Sequence, residues 1–250
     1  MLIMKASDAQ AIAVQNDIQK GNVESLQRQL RENAALATAT IVDRCGVSRS
    51  LLHIVADWPG HFPNGAQVVE ILAAAGAEVN ARVRLPDPNG HRETALHWAA
   101  SSDDVAVLDA LLDVGADIEA PGAVFTDGTA MSDAVVFAQW RAARRLLERG
   151  ATTTIWQAAA LGLLDRVSAL CAHEPSPTLK DITNAFWHAC CGGQLSTAEY
   201  LFERGADMNW IGYDRKTPSD VAAESGSDAL IQWLRLRLRA AGHASPGTLR

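Results

Sequence analysis

One interval recurs along this chain and restricts its fold more than any other property. His97 to Gly115, Ser132 to Gly150 and Trp187 to Gly205 are each separated by 18 residues. Each interval closes on a glycine set directly after an apolar helical run, in LDVGADIEA (112–120), LERGATTT (147–154) and FERGADMNW (202–210), and AAAGAEVNA (73–81) ends the same way. Glycine in that place is a helix C-cap signal, because it takes the left-handed conformation without a Cβ clash. His53 to Gly76 spans 23 residues, the same unit with five residues inserted, and the insertion falls in the Pro/Gly-rich loop signal WPGHFPNG (58–65). Self-similarity of this kind is the mark of a stacked-repeat architecture.

The residues inside one unit explain how it folds. Thr94 stands where its hydroxyl can cap the free amides of a first helix. Ala99 and Ala100 are small, so neighbouring first helices can approach closely. Val107, Leu108, Leu111 and Leu112 give the second helix an apolar face at the helical period. One such pair cannot bury that face alone, whereas stacked pairs make a continuous core whose stability is a sum over interfaces. End units then need a wettable side, which VESLQRQLREN (23–33) and LIQWLRLRLRAAG (230–242) supply.

A second recurring string lies upstream of each glycine: SLLHIVA (50–56), TALHWAA (94–100), TAMSDAV (129–135) and TPSDVAA (217–223). Thr94, Leu96, His97 and Ala99 match the signature T-P-L-H-x-A directly. On these residues and the 18-residue spacing the chain resembles the ankyrin-repeat family over roughly residues 8 to 240. The resemblance implies an all-α, right-handed ankyrin-repeat solenoid of about six to seven stacked helix-turn-helix units without a substantial β-sheet. Units are expected near 8–36, 46–81, 90–120, 125–151, 152–175, 181–210 and 214–240, in a single domain over 1–250. The first would be an N-terminal cap (8–36), 46–210 the repeats, 214–240 the C-terminal cap and 243–250 a tail. It also implies that His53 and His97 are structural, bonding within and between turns.

Composition narrows the function. The net charge is -7 and the pI near 5.5, so the chain repels phosphate backbones and a nucleic-acid role is disfavoured. Cys45, Cys171, Cys190 and Cys191 form no disulfide framework and no CxxC zinc pattern, so neither metal nor cofactor is expected. No apolar run approaches the roughly 20 residues of a membrane span, and no signal-peptide core follows the start. A reduced, cytoplasmic chain that binds no membrane is the expectation.

The resemblance implies a protein-protein interaction module that binds along a concave groove of first helices and inter-unit turns. The helix positions that would face this groove are Asp57, Trp58, Ser101, Ser102, Val136, Phe137, Ala160 and Leu161. The turn tips are Arg49, His91, Arg92, Glu93, Phe125, Asp127, Tyr213, Asp214 and Lys216. Two departures from the repeat, WPGHFPNG (58–65) and ARVRLPDPNGH (81–91), add Trp58, His61, Phe62, Arg82 and Arg84. Aromatics and arginine are the types enriched at interface hot spots. The expected partner-binding set is therefore Trp58, His61, Phe62, Arg82, Arg84, His91, Arg92, Phe125, Asp127, Phe137 and Tyr213, with another protein as partner. No GxSxG, P-loop or HExxH string is present, so the reading leans against an enzyme. The alternative is a small-molecule-binding protein or enzyme with an acid-base site near Asp57, His61, His91 and Asp127.

Overall fold

The structure is a computed structural model that describes residues 2–87, 90 and 92–243, with the backbone alone for 241–243. Its described residues form seven helix pairs: α1 (Ala9–Lys20) with α2 (Val23–Glu32), α3 (Leu51–Ala56) with α4 (Gly65–Ala74), α5 (Ala95–Ser101) with α6 (Val105–Asp113), α7 (Ala130–Val136) with α8 (Trp140–Glu148), α9 (Ile155–Ala160) with α10 (Leu164–Ala172), α11 (Leu179–Cys191) with α12 (Leu195–Phe202), and α13 (Pro218–Ser225) with α14 (Asp228–His243). They group into two compact units, Met1–Thr152 and Thr153–Arg250.

In both units the recurring glycine does what the pattern requires. Gly76, Gly115, Gly150 and Gly205 have φ of 96°, 97°, 94° and 90°. Each donates its N–H to the carbonyl three residues back, and the following residue donates to the carbonyl five back, as in Ala77 to Leu72 at 2.9 Å and Ala151 to Leu146 at 3.0 Å. This double bond pattern closes the second helix and reverses the chain toward the next turn.

The first helices are tied to their neighbours by the residue at the signature histidine position. In the first unit His53 Nδ1 bonds the Ser50 hydroxyl at 2.7 Å and Nε2 lies 3.2 Å from the Glu93 carbonyl oxygen. His97 repeats this with the Thr94 hydroxyl at 2.9 Å and the Gly128 carbonyl at 3.3 Å. Both rings are fully buried, and burial holds each at about 4, below the usual histidine value, so the neutral ring is the folded form. The structural role expected for both histidines is thus present in the bonds. Between second-helix ends, Asn80 bonds both Gly115 and Asp117, and Glu119 accepts from the backbone and hydroxyl of Thr152.

The first unit also holds a feature the repeat pattern does not contain. Strands β1 (Ile3–Lys5), β2 (Thr40–Val42) and β3 (Ser48–Ser50) form a sheet in that order, parallel between β1 and β2 and antiparallel between β2 and β3. Met4 and Ile41 bury its inner side. Bridges Ser48–Arg84 and Arg82–Thr94 carry strand pairing on into the inter-unit turn. The fold remains all-α in its layers, because this sheet is three short strands against fourteen helices.

In the second unit, α11 packs between α9 and α13 over a core with Phe186, Leu201 and Val221. Gly192 sits so close to the Ala160 carbonyl that an added Cβ would collide with it, which is the close first-helix approach that small residues permit.

Candidate functional site

Within the first unit the first helices α3 and α7 are each followed by an exposed aromatic, and α5 between them ends on two half-buried serines. Trp58 follows α3 and is 81% exposed, Phe137 follows α7 and is 42% exposed, and Ser101 and Ser102 close α5 between them. Short helices with matched starts bring these ends level, so the side chains share one face. Trp58, Asp57, Ser101, Ser102 and Phe137 line an open cavity of about 260 Å³ together with Trp98, Glu93 and Val124. Phe125, 70% exposed in the preceding turn, packs on Phe137 with ring centroids 5.9 Å apart.

The cavity is acidic as well as aromatic. Glu93 Oε2 accepts the Trp98 indole N–H at 3.2 Å. Beneath it on α7 lies Asp133, 1% exposed, whose Oδ2 has no hydrogen-bond partner. Burial first, then repulsion from the Glu93 carboxylate, pushes the Asp133 carboxyl up to about 8, against a hydrogen bond from the Val124 backbone. Asp57 is raised by burial too, opposed by Arg49, which bonds it at 3.1 Å.

The other expected residues fall in different places. Arg82, Arg84 and Arg92 line a second cavity of about 770 Å³ with Thr40, Ser50 and Asn80, away from Trp58 and Phe137. Arg82 is held there by its Nη1, which donates to the Arg92 carbonyl at 3.0 Å and to that of Pro121. The two inserted segments therefore contribute to separate cavities. His61 turns to the next helix pair: its backbone N–H donates to Asp104 Oδ2 at 2.6 Å and its Nε2 lies 3.1 Å from the Ser102 carbonyl. Phe62 is half-buried beside it. Asp127 occupies a left-handed turn (φ 52°) whose carbonyl accepts from Gly122. His91 lies outside the described residues. Of the acid-base set, Asp57 lines the aromatic cavity while His61 and Asp127 do not. Tyr213, in the second unit, is 56% exposed, packs on Trp187, His188 and Trp210, and donates its hydroxyl to Asn184.

A family model described as Ankyrin repeat matches residues 91–120, which hold His97, Gly115 and the cavity residues Glu93 and Trp98. An ankyrin repeat and KH domain-containing protein of Caenorhabditis briggsae is 32% identical over 184 residues, covering 70% of this chain. The chain spans 7% of that relative's length. The crystal structure of human ASB11 ankyrin repeat domain superposes with a TM-score of 0.52 at 18% identity, covering 90% of this chain and 96% of that one. The chain is an ankyrin-repeat protein. Ankyrin repeats are in general protein-protein interaction modules and typically bind other proteins. Among the described residues of this ankyrin-repeat protein, no helix is long and apolar enough to cross a membrane.

Sequence reasoning passed over Trp98 and Asp133. Trp98 was hidden by its place inside TALHWAA, where an apolar residue reads as core. Asp133 did leave a signal: it is an acid within the apolar string TAMSDAV, at a position the helix period buries.

Proposed function

We propose that this ankyrin-repeat protein holds another protein on the face where α3, α5 and α7 end, with Trp58, Phe125 and Phe137 as the anchoring side chains. One observation carries the reading: three large aromatics stand exposed, Trp58 after α3 and Phe137 after α7 lining one open cavity, and Phe125 packed on Phe137. Solvated aromatics at a face this size are costly unless something covers them, and such residues supply most of the energy at protein interfaces. The cavity is open and shallow, which suits a protein surface better than a small molecule needing enclosure on most sides. Phe62, His61 and Asp127 act as rim residues in this reading, Arg82, Arg84 and Arg92 offer a further contact at their own cavity, His91 belongs to the same inserted segment as Arg82 and Arg84, and Tyr213 offers a separate contact on the second unit. Free thiols at all four cysteines suit work in the reducing cytoplasm.

A photo-crosslinking residue placed at position 58 tests the proposal against one placed at Glu70, an exposed residue of α4. A partner joined from position 58 and not from 70 is then purified and titrated. Trp58→Ala and Phe137→Ala should each weaken it by about 30-fold, the worth of an anchor of about 2 kcal/mol. Unchanged affinity in both variants would remove this face from the binding site.

A further inference from the structure

Trp58 stands five residues after the signature position His53, as Ser102, Phe137 and Gly192 do after His97, Ser132 and Trp187. Those three residues stay on the helical ladder: their N–H groups donate to the carbonyls of Trp98, Asp133 and His188 at 3.1, 3.0 and 2.9 Å. Trp58 has left it. Helix α3 stops at Ala56, and the Trp58 N–H turns instead to the carboxylate of Asp57, bonding Oδ1 at 3.0 Å. The Asp57 carbonyl also accepts from Gly60 at 2.7 Å. The first turn of the inserted loop, with an indole that is 81% exposed, thus hangs on one aspartate.

What fixes that aspartate comes from outside the repeat. Its Oδ2 accepts from Arg49 Nη1 at 3.1 Å, and Arg49 Nη2 donates to Asp43 Oδ2 at 3.3 Å. Arg49 lies on β3, paired with Ile41 of β2, and Asp43 follows β2 directly. Asp43 is itself ordered, because its Oδ1 accepts from the Cys45 and Val47 amides. Surface ion pairs contribute little when two free side chains must be ordered to meet. Here both acids are already held by backbone amides. The side chains of Arg49, Asp43 and Asp57 are only 21%, 28% and 30% exposed, and one guanidinium fork serves both carboxylates.

Resting on the protein-binding reading above, we propose that Arg49 is a positioning residue for the anchor Trp58: it ties Asp57 to the sheet and so sets the indole in place before the partner arrives. An anchor ordered in advance loses less entropy when it is buried. The three-stranded sheet, which the repeat pattern does not contain, is in this reading the mount that carries Arg49.

The test reads the order of the Trp58 indole N–H by NMR relaxation in the free protein, its resonance assigned by Trp58→Phe. Arg49→Met keeps the aliphatic stem and removes both ion pairs. It should lower the order of the Trp58 indole and leave that of Trp98, which is bonded to Glu93, as in wild type. Arg49→Lys keeps the charge without the fork and should fall between the two. Asp57→Asn retains an acceptor for the Trp58 N–H and leaves Arg49 on Asp43, so it probes the tie even if Arg49→Met disturbs the sheet. It should loosen Trp58 as well, and the double variant should be no looser than either single one. An indole equally ordered in Arg49→Met and Asp57→Asn, equal loosening of Trp98, or additive loss in the double variant would each overturn the proposal. These readings need no partner. The partner captured from position 58 should then bind Arg49→Met about fivefold more weakly, the worth of ordering one side chain. Unchanged affinity beside a loosened indole overturns the positioning role while the face stands. A partner indifferent to Trp58 and Phe137 removes the face itself, and the proposal with it.

Discussion

The indole N–H of Trp187 donates to the Lys216 carbonyl at 3.0 Å, and this is the bond that a histidine makes elsewhere in the chain. His53 reaches the carbonyl of Glu93, just before Thr94, and His97 reaches that of Gly128, just before Thr129. Lys216 likewise stands just before Thr217. The 18-residue spacing that placed Trp187 in register with His97 thus corresponds to a shared bond across the interface of successive helix pairs. Its function is to seat the next turn, so any side chain with an N–H at the right reach serves.

Trp187→Phe should therefore destabilise the second unit. The Lys216 carbonyl keeps the Gly212 N–H at 2.9 Å but loses its second donor, at a cost of about 0.5–1.5 kcal/mol, and the smaller phenyl ring adds a packing loss. His97→Ala should cost as much or more in the first unit, since it opens a cavity as well. Urea titrations with tryptophan fluorescence measure both. Midpoints equal to wild type would show that the turn is seated by packing alone.

The parts of this fold readable in advance are those where one physical requirement leaves one residue type. Gly76, Gly115, Gly150 and Gly205 need a left-handed φ, and their spacing alone marks the second-helix ends. The start of each first helix was harder to see. The role of His97 in bonding the Thr94 backbone passes to Gln157, Asp181 and Asp220 at the later caps, so the string changes while the reciprocal cap persists. Strands IMK and TIV are too short to show a two-residue period, and their pairing depends on residues far apart in sequence. The groove positions Asp57, Trp58, Ser101, Ser102 and Phe137 were legible through register and do line one cavity. The meeting of Glu93 with Asp133 was not legible, because it joins a turn to the helix of the next pair.

Stability should peak near pH 6.5. His53, His97 and His188 are held at about 4 by burial. Between that value and 6.5 the unfolded chain takes protons the folded chain refuses, so stability falls as pH drops through this window. Asp133 works in the opposite sense. Its folded value of about 8 exceeds its ordinary one, so the folded chain keeps a proton that the unfolded chain has released, and stability falls as pH rises toward 8. Each group contributes a slope of at most about 1.4 kcal/mol per pH unit. Three histidines outweigh one carboxyl on the acid side, and above 6.5 Asp133 acts without them. Asp133→Asn should abolish the decline between 6.5 and 8 in a series of denaturation curves. A decline that persists in this variant would show that another group causes it.

Ala138→Gly should stabilise the protein. Ala138 follows α7 with φ 55°, a left-handed conformation that costs a Cβ-bearing residue on the order of 1 kcal/mol. Gly162 and Gly193 take the same place after α9 and α11 at φ 73° and 72°. The side chain of Ala138 is exposed, so its removal opens no cavity. A higher melting temperature is the expected reading, and a lower one would mean that the freedom glycine adds to the unfolded chain exceeds the strain removed.

The last prediction separates packing from recognition in the inserted loop 58–65. Asp104 is buried and does two things: Oδ1 caps α6 by accepting from Val107 at 3.2 Å, and Oδ2 accepts the His61 backbone N–H at 2.6 Å. The loop is thereby fastened to the next helix pair through its main chain, three residues after Trp58. Asp104→Ala removes both bonds and should cost about 1–3 kcal/mol. It should also weaken the partner, because Trp58 would then pay on binding an ordering entropy that the fastened loop has already lost. His61→Asn is the matched control: asparagine tolerates the left-handed φ of 58° and keeps the backbone bond, losing the ring contacts to the Ser102 carbonyl and, at 3.9 Å, to Asp104 Oδ1. Stability and partner affinity in His61→Asn should stay near wild type. Equal loss of affinity in both variants would instead make the imidazole a contact residue in its own right. Unchanged affinity in a destabilised Asp104→Ala would mean that the loop only covers its own repeats, and that Phe125 and Phe137 hold the partner without Trp58.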